Sequence, residues 1–238
     1  MEKGSNGGGL VEKLDALVEK WHLLGHPFYQ AWTAGTLTRE ALQLYAEQYY
    51  HHVKEFPRSL RTLAERTEGE LRGVIEENLA EEENRAAPHP KLWREFAGAV
   101  GVSEERMAAS VPLPGVQKLL EVYRRTTAEA RPIASVAAFY VYEAQVPEIA
   151  TKKIEGLRQF YGVTEPRGLR YFAVHEEADV RHRAAWREWL AEQPAADADE
   201  ALRAGEEALQ ALWGALDAVT PAECCSGLRP PQQPTAVR

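Results

Sequence analysis

Apolar residues recur at helical spacing almost from one end of the chain to the other. Leu10, Leu14, Leu17, Val18 and Trp21 predict a first helix, which Gly25 closes. The aromatic run HPFYQAW (26–32) leads into a turn at Gly35. Thr38 then starts a second, long helix through LQLYAEQYYHHVKEF; Pro57 should kink or restart it, since LRTLAER keeps the period. Further helices are expected over 69–86, in LWREFAGAVG before Gly101, over 114–131 and over 132–160 up to Gly162. Two more follow, over 166–191 up to Pro194 and over 198–219, and Ser103 with Glu104 opens an extra turn. No alternating strand pattern of useful length and no internal repeat occurs. The pattern predicts an all-α chain with one domain at 10–219, built from about seven or eight helices. A Gly- and Ser-rich disordered leader (1–9) and a Pro-rich disordered tail (220–238) flank it.

Composition narrows the function classes. The net charge is −8 and no basic stripe interrupts it, so a nucleic-acid backbone is not the expected partner. No apolar run approaches the ~20 residues of a membrane span. MEKGSNGGGL lacks the apolar core of a secretory signal, so the cytoplasm is the expected location. The only cysteines, Cys224 and Cys225, sit together in the tail, leaving neither a disulfide framework nor a core thiol nucleophile.

Candidate chemistry centres on YFAVHEEADVRHRAAWREWL (171–190). His175, Asp179 and His182 fall within an arc of roughly 60° on one helix face. Two imidazoles and a carboxylate are ligands suited to borderline metals, although the neighbouring charges also fit a solvated stripe. Glu82 and His89 form a second candidate pair; Pro90 disfavours helical geometry at His89 and places it on the turn after the helix. The acidic run around Glu82 fits a solvated face equally. Glu143 lies in the otherwise apolar SVAAFYVYEAQV, where a carboxylate must be neutral, metal-bound or paired, for instance with Arg131. Helical carboxylate proteins bind two metals by projecting Glu and His inward from facing helices.

Read in order, E-x6-H, YE-x-Q-x-P and HEEADxRH resemble the haem-oxygenase-like dimetal oxidases of the TenA/PqqC-like superfamily. The branch most similar is that of the 4-aminobenzoate synthases, named after chlamydial proteins associating with death domains. The likeness spans roughly residues 20 to 190 and takes in HPFYQAW, QYYHHVKEFPR, EEENRAAPHPKLW and YVYEAQVPEIATKKI. It implies a haem-oxygenase-like bundle with Glu82, His89, Glu143, His175, Asp179 and His182 holding two transition-metal ions, iron and/or manganese. It also implies O₂ as co-substrate, an external reductant and a self-sacrificing reaction that feeds folate synthesis. In that reaction one of the chain's own tyrosines supplies the ring and a lysine the amino group. By position these are Tyr29 and Lys153, with Lys152 one residue away. Tyr142, and further Tyr45 and Tyr171, match family tyrosines near the metals.

Several alternatives stay open at this point. On an unbroken helix, residues 152 and 153 lie about 180° and 280° around from Glu143, so neither falls beside it unless Pro147 shifts the phase. His51 and His52 are expected to be a hydrogen-bonded pair outside the metal set. Thiaminase-type chemistry is excluded by the missing core cysteine. Cofactorless oxidases of the pyrroloquinoline-quinone-synthase type do not need six ligand residues. A dimetal oxidase acting on an external amino or fatty acid, and a death-domain-type interaction protein, are the remaining readings. The resemblance also leaves room for a homodimer.

Overall fold

The computed structural model describes residues 7–222, which fold into eleven α-helices and two short 3₁₀ turns, with no strand among them. In order these are α1 (Gly7–Lys20), α2 (Pro27–Ala34), α3 (Arg39–Ala64), α4 (Gly69–Glu82), α5 (His89–Ala99), α6 (Glu104–Ala109), α7 (Pro114–Glu129), α8 (Pro132–Glu143), α9 (Val146–Gln159), α10 (Pro166–Ala191) and α11 (Ala198–Asp217). The all-α expectation holds, with more helices than the spacing suggested. The aromatic run and the Ser103 turn are helices in their own right, and the expected 132–160 helix is two. The last residues of the expected leader open α1, while the rest of it and nearly all of the expected tail, with both cysteines, lie outside the described residues.

α8 shows why the bundle has the layout it does. IASVAAFYVYE has no polar face, and a helix apolar all round must be surrounded. Every residue from Ile133 to Glu143 is buried. α7, α10 and α11 pack around α8; α3 joins α7 to α4 and α5, and α10 runs across α5, α8 and α9. Pro57 does not end α3, which continues to Ala64. No helix among the described residues is long and apolar enough to cross a membrane.

The break after α8 matters most for the site. Pro147 has no N–H to give the carbonyl of Glu143, and its ring would clash there in a continuous helix. The chain therefore tightens at Ala144–Gln145, where the Gln145 N–H bonds the Tyr142 carbonyl at 3.1 Å, and restarts with Pro147 in the first turn of α9. Gln145 is buried and fills the gap: its amide oxygen accepts from the Leu23 N–H (2.8 Å) and its Nε2 donates to the Val141 carbonyl (2.9 Å).

Candidate metal centre

Four helices deliver the six candidate ligands. Glu82 is the last residue of α4 and Glu143 the last of α8; His175, Asp179 and His182 lie along α10. His89 stands at the first position of α5 rather than on the preceding turn. Pro90 beside it lacks only an N–H that a first helical turn leaves unpaired anyway. The side chains collect into two buried groups, Glu82–His89–His175 and Glu143–Asp179–His182, with ligand atoms within 4.8 Å of one another in each. The imidazoles of His89 and His175 are 4.5 Å apart, centre to centre.

Unsatisfied atoms indicate what this arrangement suits. His89 Nδ1, Asp179 Oδ2 and both ring nitrogens of His182 are buried without a hydrogen-bond partner, although His89 Nδ1 lies 2.8 Å from Glu82 Oε2. Each such orphan costs roughly 1–3 kcal/mol, which a cation among them would relieve. One group offers two imidazoles and a carboxylate, the other one imidazole and two carboxylates; both suit first-row divalent ions. Burial, then the neighbouring Asp179, pushes the Glu143 carboxyl above the usual carboxylate range. Burial also disfavours ionised Glu82, but His89, His175 and His182 outweigh it and hold that carboxyl low. A divalent ion would offset the Glu143–Asp179 repulsion.

The surrounding residues orient the candidate ligands. Glu143 accepts hydrogen bonds from Asn78 Nδ2 (2.8 Å) on one oxygen and from Trp186 Nε1 (2.7 Å) on the other. Its alternative partner is not there: Arg131 lies at the surface, paired with Asp197 at 2.6 Å and with Glu200. His175 Nδ1 lies 2.6 Å from the Tyr171 carbonyl, which leaves its Nε2 to face the first group.

Next to the metal groups is a cluster of phenols around one amine. Lys153 is 5% exposed, and its Nζ donates to Tyr45 Oη at 2.7 Å; Tyr45 Oη is 3.2 Å from Tyr29 Oη. The rings of Tyr29, Tyr45, Tyr49 and Phe172 lie 5.2–5.3 Å from Nζ. With no carboxylate beside it, burial lowers the Lys153 pKa to about 7. Lys152, by contrast, is half exposed and paired with Glu155 at 2.8 Å. The helix break re-phases α9, so the wheel drawn over a continuous helix does not apply. Lys153 joins the buried stripe of Ile149, Ala150, Ile154 and Leu157. Gly156 lets α9 approach α2, since a Cβ there would stand 2.7 Å from the Trp32 ring. His26 caps α2, accepting the Phe28 N–H at 3.0 Å, and its Nε2 meets Asp217 of α11 at 3.0 Å, which fixes the helix that carries Tyr29.

Tyr142 Oη lies 2.6 Å from Tyr49 Oη. A cavity of about 20 Å³ opens between Tyr29, Tyr49, Tyr142, Lys153, Tyr171 and His175. A second cavity of about 20 Å³ lies on the α7–α11 side and shares Leu23, Tyr29 and Tyr49 with the first. Sequence reading passed over Tyr49, one turn after Tyr45 on α3, and the supporting roles of Asn78 and Trp186. The expected His51–His52 pair is not one. His51 bonds Ser110 Oγ at 3.1 Å, while His52 is buried among Tyr49, Phe56, Tyr123 and Tyr142 with neither ring nitrogen partnered.

A family model described as iron-containing redox enzyme matches residues 43–218. The chain belongs to that family. Its relatives include a 4-aminobenzoate synthase of Chlamydia muridarum, 39% identical over 90% of this chain and 92% of that one. Another 4-aminobenzoate synthase, from Nitrosomonas europaea, is 35% identical over 90% of this chain and 92% of its own. Among solved structures, a domain of unknown function with a heme oxygenase-like fold from Shewanella denitrificans superposes with a TM-score of 0.76 at 20% identity, covering 89% and 90% of the two chains. A TenA homologue from Pseudomonas syringae pv. tomato gives a TM-score of 0.77 at 16% identity, covering 92% and 95%. At those identities the likeness is one of fold, and it is the haem-oxygenase-like, TenA-like bundle expected. The chain is therefore an oxidoreductase whose described residues include buried His, Glu and Asp groups able to bind metal.

Proposed function

We propose that this enzyme is an O₂-dependent dimetal oxidase that makes 4-aminobenzoate from its own side chains, with Tyr29 as ring donor and Lys153 as amino donor. The observation that carries the reading is the placement of a buried, readily deprotonated amine one hydroxyl away from the Tyr29 phenol. In 4-aminobenzoate the nitrogen stands opposite the carboxyl carbon, as the hydroxyl of tyrosine stands opposite Cβ. The nitrogen must therefore arrive at the phenol end of the ring, the end that Tyr45 joins to Lys153. The names of the relatives, identical at 35–39%, support the same product, which would feed folate synthesis.

Glu82, His89 and His175 would hold one ion, and Glu143, Asp179 and His182 the other, as iron or manganese. Bound there, such a pair supplies the one-electron redox chemistry with O₂, drawing on an external reductant. The remaining roles belong to the chain itself. Tyr45 Oη orients Nζ and stands between it and the Tyr29 hydroxyl, where it can pass a proton. Burial keeps the Tyr29 phenol protonated until it is oxidised and leaves a substantial fraction of Lys153 neutral, with its lone pair free. The surrounding aromatic rings bury the amine away from bulk solvent.

An external amino-acid or fatty-acid substrate is disfavoured by size. The cavity beside the ligands measures about 20 Å³, whereas a benzene ring occupies cavities of about 150 Å³. The test is intact-protein mass spectrometry after anaerobic Fe or Mn loading, reduction and exposure to O₂. Wild type should lose mass at Tyr29 as 4-aminobenzoate appears; Tyr29→Phe should bind metal and give no product. Wild-type yield from Tyr29→Phe would overturn the assignment of the ring donor.

A further inference from the structure

We infer that Glu81 positions His182 for metal binding, accepting its Nε2–H so that Nδ1 is left bare toward Asp179 and Glu143. The assignment rests on the two-metal reading above and concerns a residue outside the six ligands.

Helix spacing brings Glu81 to this place. Asn78, Glu81 and Glu82 stand at i, i+3 and i+4 on α4 and so share one face. Asn78 reaches Glu143, Glu82 joins the first group, and Glu81 reaches α10 between them. Glu81 Oε2 lies 3.5 Å from His182 Nε2 on one side of the ring; Asp179 Oδ1 lies 3.5 Å from Nδ1 on the other. The imidazole is 7% exposed, and neither nitrogen has a hydrogen-bond partner. A neutral imidazole carries one N–H, so the nitrogen that faces a metal must be the bare one and the other needs an acceptor. Glu81 is the carboxylate on the Nε2 side. Its other oxygen is held by Arg181 Nη2 at 2.5 Å. His175 solves the same problem with the Tyr171 carbonyl. At 3.5 Å the Glu81 contact is long for a hydrogen bond, but with a cation held at Nδ1 the Nε2–H would be a stronger donor and the pair would close. Outer carboxylates of this type orient ligating histidines and raise their basicity.

The test is an anaerobic Mn(II) titration of the full chain, with free ion followed by electron paramagnetic resonance. Wild type should take up two equivalents. Glu81→Ala should keep one and bind the other about 10- to 100-fold more weakly. Glu81→Gln retains an acceptor oxygen and should recover to within severalfold of wild type. The metal-free melting temperatures of these variants should match wild type, which separates the effect from loss of fold. Two equivalents at wild-type affinity in Glu81→Ala would overturn the inference. An equal loss in Arg181→Gln would also overturn it, because the ion pair between α4 and α10 would then be what matters. Fewer than two equivalents in the wild type would instead sink the two-metal reading, and this assignment with it.

Discussion

Replacing Lys153 by methionine should stabilise the metal-free protein at low pH while abolishing its product. The Lys153 pKa falls from 10.5 to about 7 on folding, through burial. At about 1.4 kcal/mol per unit, forcing the charged amine into the core costs about 5 kcal/mol at pH values below about 7. Between about pH 7 and 10.5 the unfolded chain keeps a proton that the folded chain has released, so stability rises with pH across that window and levels off above it. Methionine has similar length and no charge, so Lys153→Met removes the whole term. It also loses the hydrogen bond to Tyr45, worth about 1 kcal/mol, and repacks imperfectly for about 1 more. The variant should therefore be about 3 kcal/mol more stable than wild type near pH 6 and about equal near pH 9. Urea unfolding followed by circular dichroism at both pH values measures this, and metal-free protein avoids added stabilisation by bound ions. A variant less stable at pH 6, or a difference that does not change with pH, would show that Lys153 is not a desolvated amine. Its value as amino donor would fall with that result.

Three further outcomes are expected. Glu143→Ala removes one of the two carboxylates in its group and the acceptor for Asn78 and Trp186; inductively coupled plasma analysis after loading should find one metal equivalent lost and no product. Gly115→Ala would put its Cβ 2.2 Å from the Gly214 carbonyl oxygen, forcing α7 and α11 apart. That should cost about 2–3 kcal/mol, a melting temperature lower by roughly 5–10 °C. Gly214→Ala meets nothing within 4 Å and should change the melting temperature little.

How much was legible in the sequence depended on whether the signal was local. The α10 triplet follows from helix periodicity, and the burial of α8 from the lack of any polar face. Glu143 was recognisable as needing compensation, though not which kind. The phase of Lys153 stayed open because a wheel drawn over one helix does not hold where Pro147 forces two, and that break turns the buried stripe of α9. The stripe itself was visible: Lys153 sits among Ile149, Ala150, Ile154 and Leu157. Tyr49 and His52 carry no such mark. Aromatic and imidazole side chains at core spacing look alike whether they only pack or also line a buried amine, and only the approach of α3 to α8 and α9 separates the cases.

Tyr29 has a ring that walls off one small chamber from another. A reaction that carries this ring away merges the two and leaves a stub where a buried aromatic stood. By the proposed reaction the chain would become its own truncation mutant; losing a core aromatic typically removes about 3–5 kcal/mol from a total of only about 5–15. Each molecule would thus carry an expiry mark set by its single act of synthesis. Supply of the vitamin precursor would follow the rate of translation, and the hollowed remnant would be the form that proteases find first.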